Sequence, residues 1–112
     1  MISIRQRRTG ALLAEVDCPT LREADLTDRR LAEADLARAD LASADLRGAD
    51  LRGADLAGAN LRGADLRRAE LGGACLLRAR LEGAQLQDAR YNCGTRWPEG
   101  FRPAGRGLLA KG

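Results

Sequence analysis

Apolar residues return along this chain every five positions. Leucine occupies each fifth place from Leu21 to Leu86, fourteen times without a break. Val16 holds the phase upstream and Tyr91 holds it downstream. From position 24 to 89, alanine stands two residues before each next apolar place in thirteen of fourteen instances, and Arg29 is the exception. Between Ala and Leu the residue is usually acidic, as at Asp25, Asp35, Asp40, Asp45, Asp50, Asp55 and Asp65, with Asn60 and Glu70 as near variants. The two residues after each leucine are mostly Arg, Gly, Ala or another polar type.

A period of five excludes an amphipathic helix. At about 100° per residue, successive leucines would be rotated by a net angle of roughly 140° and would form no stripe. Gly48, Gly53, Gly58 and Gly63 would each cost a helix interior about 1 kcal/mol. A coiled coil needs a spacing near 3.5 residues. Disorder fits the aromatic-poor composition but gives no reason to hold leucine in phase for so long. An extended reading succeeds. Ala and the following Leu lie two apart and face one way, the residue between them faces the other, and the next two residues turn the chain. One inward Ala and one inward Leu per side fill a narrow interior.

The repeated A(D/N)LXX word, over about residues 14–91, resembles the signature of the pentapeptide-repeat proteins. That resemblance implies an all-β fold, a right-handed quadrilateral β-helix with four pentapeptides per 20-residue coil. It implies about four coils, stacked at roughly 4.8 Å into a rod about 20 Å long.

A solenoid exposes an apolar cross-section at both ends and needs caps. One domain, 1–112, divides into an N-terminal hairpin cap (1–18), the repeat β-helix (19–91) and a C-terminal cap with a loose tail (92–112). The hairpin is expected from ISIRQRRTGALLAEV, two short strands around Thr9–Gly10. The motif Thr20-Leu21-Arg22-Glu23 has the form of a helix capping box. An irregular first coil, distorted at residues 28–31 where Arg29 replaces the inward alanine, is favoured over a short helix. Downstream, Tyr91, Trp97 and Phe101 sit in a segment punctuated by Pro and Gly that cannot continue the coil. Three aromatics beside an open apolar end read as a structural plug, with an exposed contact site as the alternative for Trp97 and Phe101. A loose tail is expected over 104–112.

Charge sharpens the picture only at the ends. Of 19 basic and 16 acidic residues, the region 21–90 holds 12 and 13, the region 1–20 holds 3 and 2, and the region 91–112 holds 4 and 1. The repetitive body is therefore near neutral and the termini basic. Cys18, Cys75 and Cys93 form no CxxC pair, and the chain has no histidine to complete a zinc site. An odd cysteine count without a signal peptide reads as reduced thiols in a cytoplasmic bacterial protein, and the run Ala11–Ala14 is too short to span a membrane.

Catalysis has little to rest on. Ser3 and Ser43 have no base in the pattern, and the carboxylates are explained by their repeat positions. No catalytic, cofactor-binding or metal-binding residue is expected. An aspartate ladder for calcium is opposed by the neighbouring arginine ladder. With a 20-residue coil, Asp25, Asp45, Asp65 and Gln85 stack on one face beside Thr27, Arg47, Arg67 and Gln87. The least charged face stacks Asp35, Asp55 and Cys75, with Ala37, Ala57 and Leu77 also outward. Leu77, Ala57, Ala37 and Cys75 are thus the candidate contacts for an unknown protein partner or for a homodimer.

The expected function is a non-catalytic structural or protein-interaction module with no small-molecule substrate, no membrane and no cofactor. Some members of the family resemble B-DNA and act on DNA gyrase, giving quinolone resistance. That DNA-mimicking role asks for a long negative rod, whereas this chain is short and carries a net charge of +3. Direct nucleic-acid binding through Arg96, Arg102 and Arg106 has no aromatic platform to support it and is not expected.

Overall fold

A computed structural model describes residues 1–110. Two antiparallel strands, β1 (Ile2–Arg5) and β2 (Leu12–Val16), open the chain. Two short parallel strands, β3 (Arg90–Tyr91) and β4 (Leu109–Ala110), close it. Between them lies a series of parallel β-bridges that join residue i to residue i+20, as Asp25 to Asp45, Asp45 to Asp65 and Asp65 to Gln85, and likewise on the neighbouring columns up to Cys75, which pairs with Arg96. The fold is all-β and β-helix-like, and no helix occurs among the described residues.

Hydrogen bonds explain the 20-residue circuit. The Leu46 N–H donates to Asp65 O at 2.8 Å, and the Asp65 N–H donates to Ala44 O at 2.9 Å. The same pair of bonds recurs one pentad later, from Leu51 to Glu70 O and from Glu70 to Ala49 O. Each pentad ends in a tight turn, in which the alanine N–H donates to the carbonyl of the leucine three residues before, as from Ala49 to Leu46 at 3.0 Å. The second residue after leucine has positive φ, whether glycine (Gly48, 68°) or not (Arg68, 62°), which is the geometry of a type II turn. Eight non-glycine residues accept this conformation, Glu23, Asp28, Glu33, Arg38, Ser43, Arg68, Arg78 and Asp88, and each bears a left-handed strain of roughly 1–2 kcal/mol.

The interior holds what the five-residue pattern assigns to it. Leu26, Leu31 and every fifth leucine from Leu41 to Leu71 are fully buried, together with Ala34 and every fifth alanine from Ala44 to Ala74. Each buried leucine contributes about 1.5–3 kcal/mol by leaving water. Towards the C-terminal end burial loosens, and Leu81 and Ala84 are half-buried.

Two expectations are corrected, the distorted first coil and the loose tail, and the helix weighed as the alternative at residues 20–33 is absent among the described residues. The capping-box sequence at Thr20 starts no helix; its hydroxyl accepts the Arg22 N–H at 3.3 Å, and Leu21 enters the ordinary turn with Ala24. The backbone at 28–31 is undistorted: Asp28, Leu31 and Asp50 make the usual bonds, with Asp50 N–H donating to Arg29 O at 2.9 Å. Arg29 is exposed although Ala49, one circuit on, is buried. In the first circuit no earlier level lies against that slot, so the long side chain leaves the interior and carries its charge to water. The tail is not loose as far as residue 110. The Leu109 N–H donates to Ala89 O, the Asp88 N–H donates to Gly107 O, and β4 pairs with β3. The rest of the expected tail, residues 111–112, lies outside the described residues.

At the N-terminal end the hairpin stands where an earlier level would be. The Asp35 N–H donates to Arg5 O at 2.8 Å and the Arg7 N–H to Glu33 O at 2.9 Å. Ile4 and Ala14 join the buried cluster. At the other end Tyr91 meets Trp97 edge-on at 5.7 Å, Trp97 stacks on Phe101 at 4.8 Å, and the Arg106 guanidinium lies 4.5 Å above the Phe101 ring. Trp97 and Phe101 are half-buried against the core, and Tyr91 is half-buried at the end of β3.

Candidate partner-contact face

The sequence repeats five residues but the bridges repeat twenty, so four pentads fill a circuit and four columns of outward residues result. Three of these columns are dressed by ion pairs. On the first, the Arg47 guanidinium donates to the Asp45 carboxylate at 2.6 and 2.8 Å and also lies 3.7 Å from Asp65, while Arg67 grips Asp65 in the same bidentate way. On the second, Arg52 pairs with Asp50 and Arg90 with Glu70. On the fourth, Arg22 pairs with Asp40 and Arg62 with Glu82.

The aspartates there do two jobs. One carboxylate oxygen accepts the N–H two residues on, pinning the turn, as from Arg47 to Asp45 at 3.2 Å. The same oxygen and its neighbour both accept from the arginine fork. Hydrogen bonding to Arg47 draws Asp45 down to about 2 from an ordinary value of 3.8. The Arg52, Arg67 and Arg22 guanidiniums likewise lower Asp50, Asp65 and Asp40. Like charges stacked at sheet spacing would repel, and the interleaved arginines offset that.

The third column is different. It runs Asp35, Asp55, Cys75, Arg96, with the last step taking 21 residues instead of 20. Among the described residues none of its members has an ion-pair partner. Beside it stand Ala37, Ala57 and Leu77, held in line by the bonds from Arg38 N–H to Ala57 O and from Gly58 N–H to Leu77 O, both 2.8 Å. The sequence-derived set is therefore brought together on one face: Leu77 is 42% exposed, Ala37 is exposed, and Ala57 and Cys75 are half-buried. A cleft beside Cys75 is lined by Arg7, Asp55, Gly73 and Arg96. Arg7 reaches it from the hairpin and donates to Gly53 O at 3.0 Å.

Three features escape the sequence reading. Arg7 crosses 46 residues of sequence to this face, and nothing in its local context signals that. Thr95 is buried, and its hydroxyl donates to Leu71 O at 2.8 Å. Asn92 accepts the Gly73 and Gly94 N–H groups on its side-chain oxygen, at 3.0 and 2.9 Å. Both lie just past the last repeat, where the Asn-Cys-Gly-Thr run carries a turn signal.

Comparisons with known proteins agree with this geometry. The family profile described as pentapeptide repeats matches residues 21–56 and 44–83, in 8 copies. Among solved structures, a pentapeptide repeat protein from Nostoc Pcc 7120 is 40% identical, with a TM-score of 0.57, over 88% of this chain and 82% of its own. A pentapeptide repeat protein from the Arabidopsis thaliana thylakoid lumen is 29% identical, with a TM-score of 0.66, over 80% of this chain and 59% of its own. A third, from the cyanobacterium Cyanothece 51142, is 40% identical, with a TM-score of 0.56, over 65% of this chain and 53% of its own. No curated protein matches.

Proposed function

Because the chain belongs to the pentapeptide repeat proteins, we propose that it is a non-catalytic structural and protein-interaction module whose contact surface is the Leu77 face. Its frame is a right-handed quadrilateral β-helix of about four coils. The β1–β2 hairpin closes one end, and Tyr91, Trp97 and Phe101 close the other. The 20-residue bridges, the hairpin bonds to Glu33 and Asp35, and the aromatic stack support that frame.

The observation that carries the functional reading is the contrast between faces. On three of them arginines and carboxylates pair with one another. On the remaining face Asp35 and Asp55 pin their turns but have no ion-pair partner among the described residues, and a leucine and two alanines stand outward. A surface whose charges are not spent on ion pairs within the chain, and that exposes a large apolar side chain, is suited to a protein contact.

Affinity capture from the native host tests this with the full chain and its Leu77→Arg variant. The expected result is a partner retained by the wild type and lost from the variant, with unchanged thermal unfolding. Equal retention by both overturns the assignment of the face. Protection of DNA gyrase in a supercoiling assay at low stoichiometry overturns the module reading in favour of DNA mimicry.

A further inference from the structure

The Leu77 face is polarised along the stack. Asp35 stands at the hairpin end of its column and Arg96 at the C-terminal end, and both are exposed. Three level spacings of about 4.8 Å separate them, too far for a direct pair within one molecule. The other columns interleave opposite charges at adjacent positions and neutralise themselves. This column keeps its negative and positive ends apart, with an apolar strip alongside.

We infer that this face binds a second copy of the chain, antiparallel, about a two-fold axis that crosses the face between the levels of Asp55 and Cys75. This deepens the interaction-module reading and rests on it, since it names the partner of the same surface. The rotation sets Asp35 against the partner's Arg96, and by symmetry Arg96 against the partner's Asp35. It also lays Leu77 over the partner's Ala57, a large side chain over a small one, twice. A parallel arrangement would put Asp35 on the partner's Asp35 and Arg96 on the partner's Arg96, so charge selects the antiparallel one. Arg7 and Arg96 both line the central cleft with Asp55, so positive and negative groups meet near the axis.

Area sets the strength. Four levels about 4.8 Å apart and a five-residue side at most about 17 Å wide give at most roughly 330 Å² per copy. That is less than half of the ~800 Å² per partner of a standard interface, so the dimer is weak, dependent on concentration and sensitive to salt.

Sedimentation equilibrium of the full chain, from about 10 μM to about 1 mM, is the test. The wild type is expected to dimerise towards the upper end at low salt and to dissociate in about 0.5 M salt. Asp35→Arg alone and Arg96→Asp alone should each weaken the dimer about tenfold, and the double exchange should restore it. Both positions are exposed, and thermal unfolding of each variant checks that the fold is kept. A monomer throughout the range, or a double variant no better than either single one, overturns the dimer. In that event the module reading survives if the host partner is still lost on Leu77→Arg, so the two failures are distinguishable.

Discussion

From Ala44 to Glu70 the backbone of one level bonds to the backbone of the next, whereas beyond that side chains supply part of this bonding. In the middle, the Gly53 N–H donates to the Gly72 carbonyl and the Gly63 N–H to that of Glu82. At the C-terminal end the equivalent Gly73 N–H finds the Asn92 side chain instead. The Leu71 carbonyl accepts the Ala74 N–H of its own turn, as every repeat leucine does, and also receives the Thr95 hydroxyl. Bridge spacing drifts there from 20 to 21 at Cys75–Arg96 and to 19 at Arg90–Leu109. A repeat is thus sufficient only while another level follows. The last level must be finished by residues chosen individually.

The largest effect that tests this contrast is a cavity. Leu61 is fully buried between neighbouring levels, and Leu61→Ala should destabilise by about 2–5 kcal/mol in denaturant unfolding. Leu81 is half-buried, and Leu81→Ala should cost less than half as much. Equal costs would erase the distinction between middle and end.

Next comes Thr95→Val. It removes the donor to Leu71 O and the acceptor of the Asn92 N–H, held at 3.1 Å. A loss of about 1–3 kcal/mol is expected, with faster amide exchange at Asn92 and Gly73. An unchanged exchange rate at both amides would show that the hydroxyl does not finish the last level.

The smallest effect is acid sensitivity of the middle. Asp45 is lowered to about 2 in the folded chain from 3.8, so its contribution is complete above about pH 4 and is lost as pH falls towards 2. Asp50 and Asp65 shift in the same direction through Arg52 and Arg67. These groups are partly exposed and screened, which keeps the effect modest. The melting temperature should fall over this window, and Arg47→Met should flatten part of the fall. A pH profile indifferent to that substitution would remove the ion pair from the account.

Where the backbone repeats, the sequence is a good guide. Leu46, Leu51 and Ala49 are buried because a five-residue period leaves them no other face, and Leu77 stands out because its slot is outward. Arg29 misleads because an inward slot at the first level still opens to solvent. The tail misleads because Gly105 and Gly107 look like loop residues, yet they carry the chain into β4. Arg7 is invisible because its partner is set by the hairpin's seating. A subtler signal is legible only after the 20-residue offset is known. Gly48, Gly53, Gly58 and Gly63 fall one circuit after Asp28, Glu33, Arg38 and Ser43. A Cβ on Gly48 would run into the Asp28 carboxylate, and one on Gly53 would come within 3.1 Å of the Glu33 side chain. The glycines leave room for the corner side chains beneath them.

The bridge offset also gives this molecule a reading frame of its own. Gaining or losing twenty residues in the body lengthens or shortens the stack while every later residue keeps its compass bearing. Gaining or losing five preserves the Leu and Ala pattern, and the interior, yet moves everything downstream to the neighbouring column. Cys75, Leu77 and Arg96 would then leave the heading of Asp35 and Asp55, and the surface they share would be dispersed around the rod. Sequence drift in units of five is silent for the core and disruptive for the face.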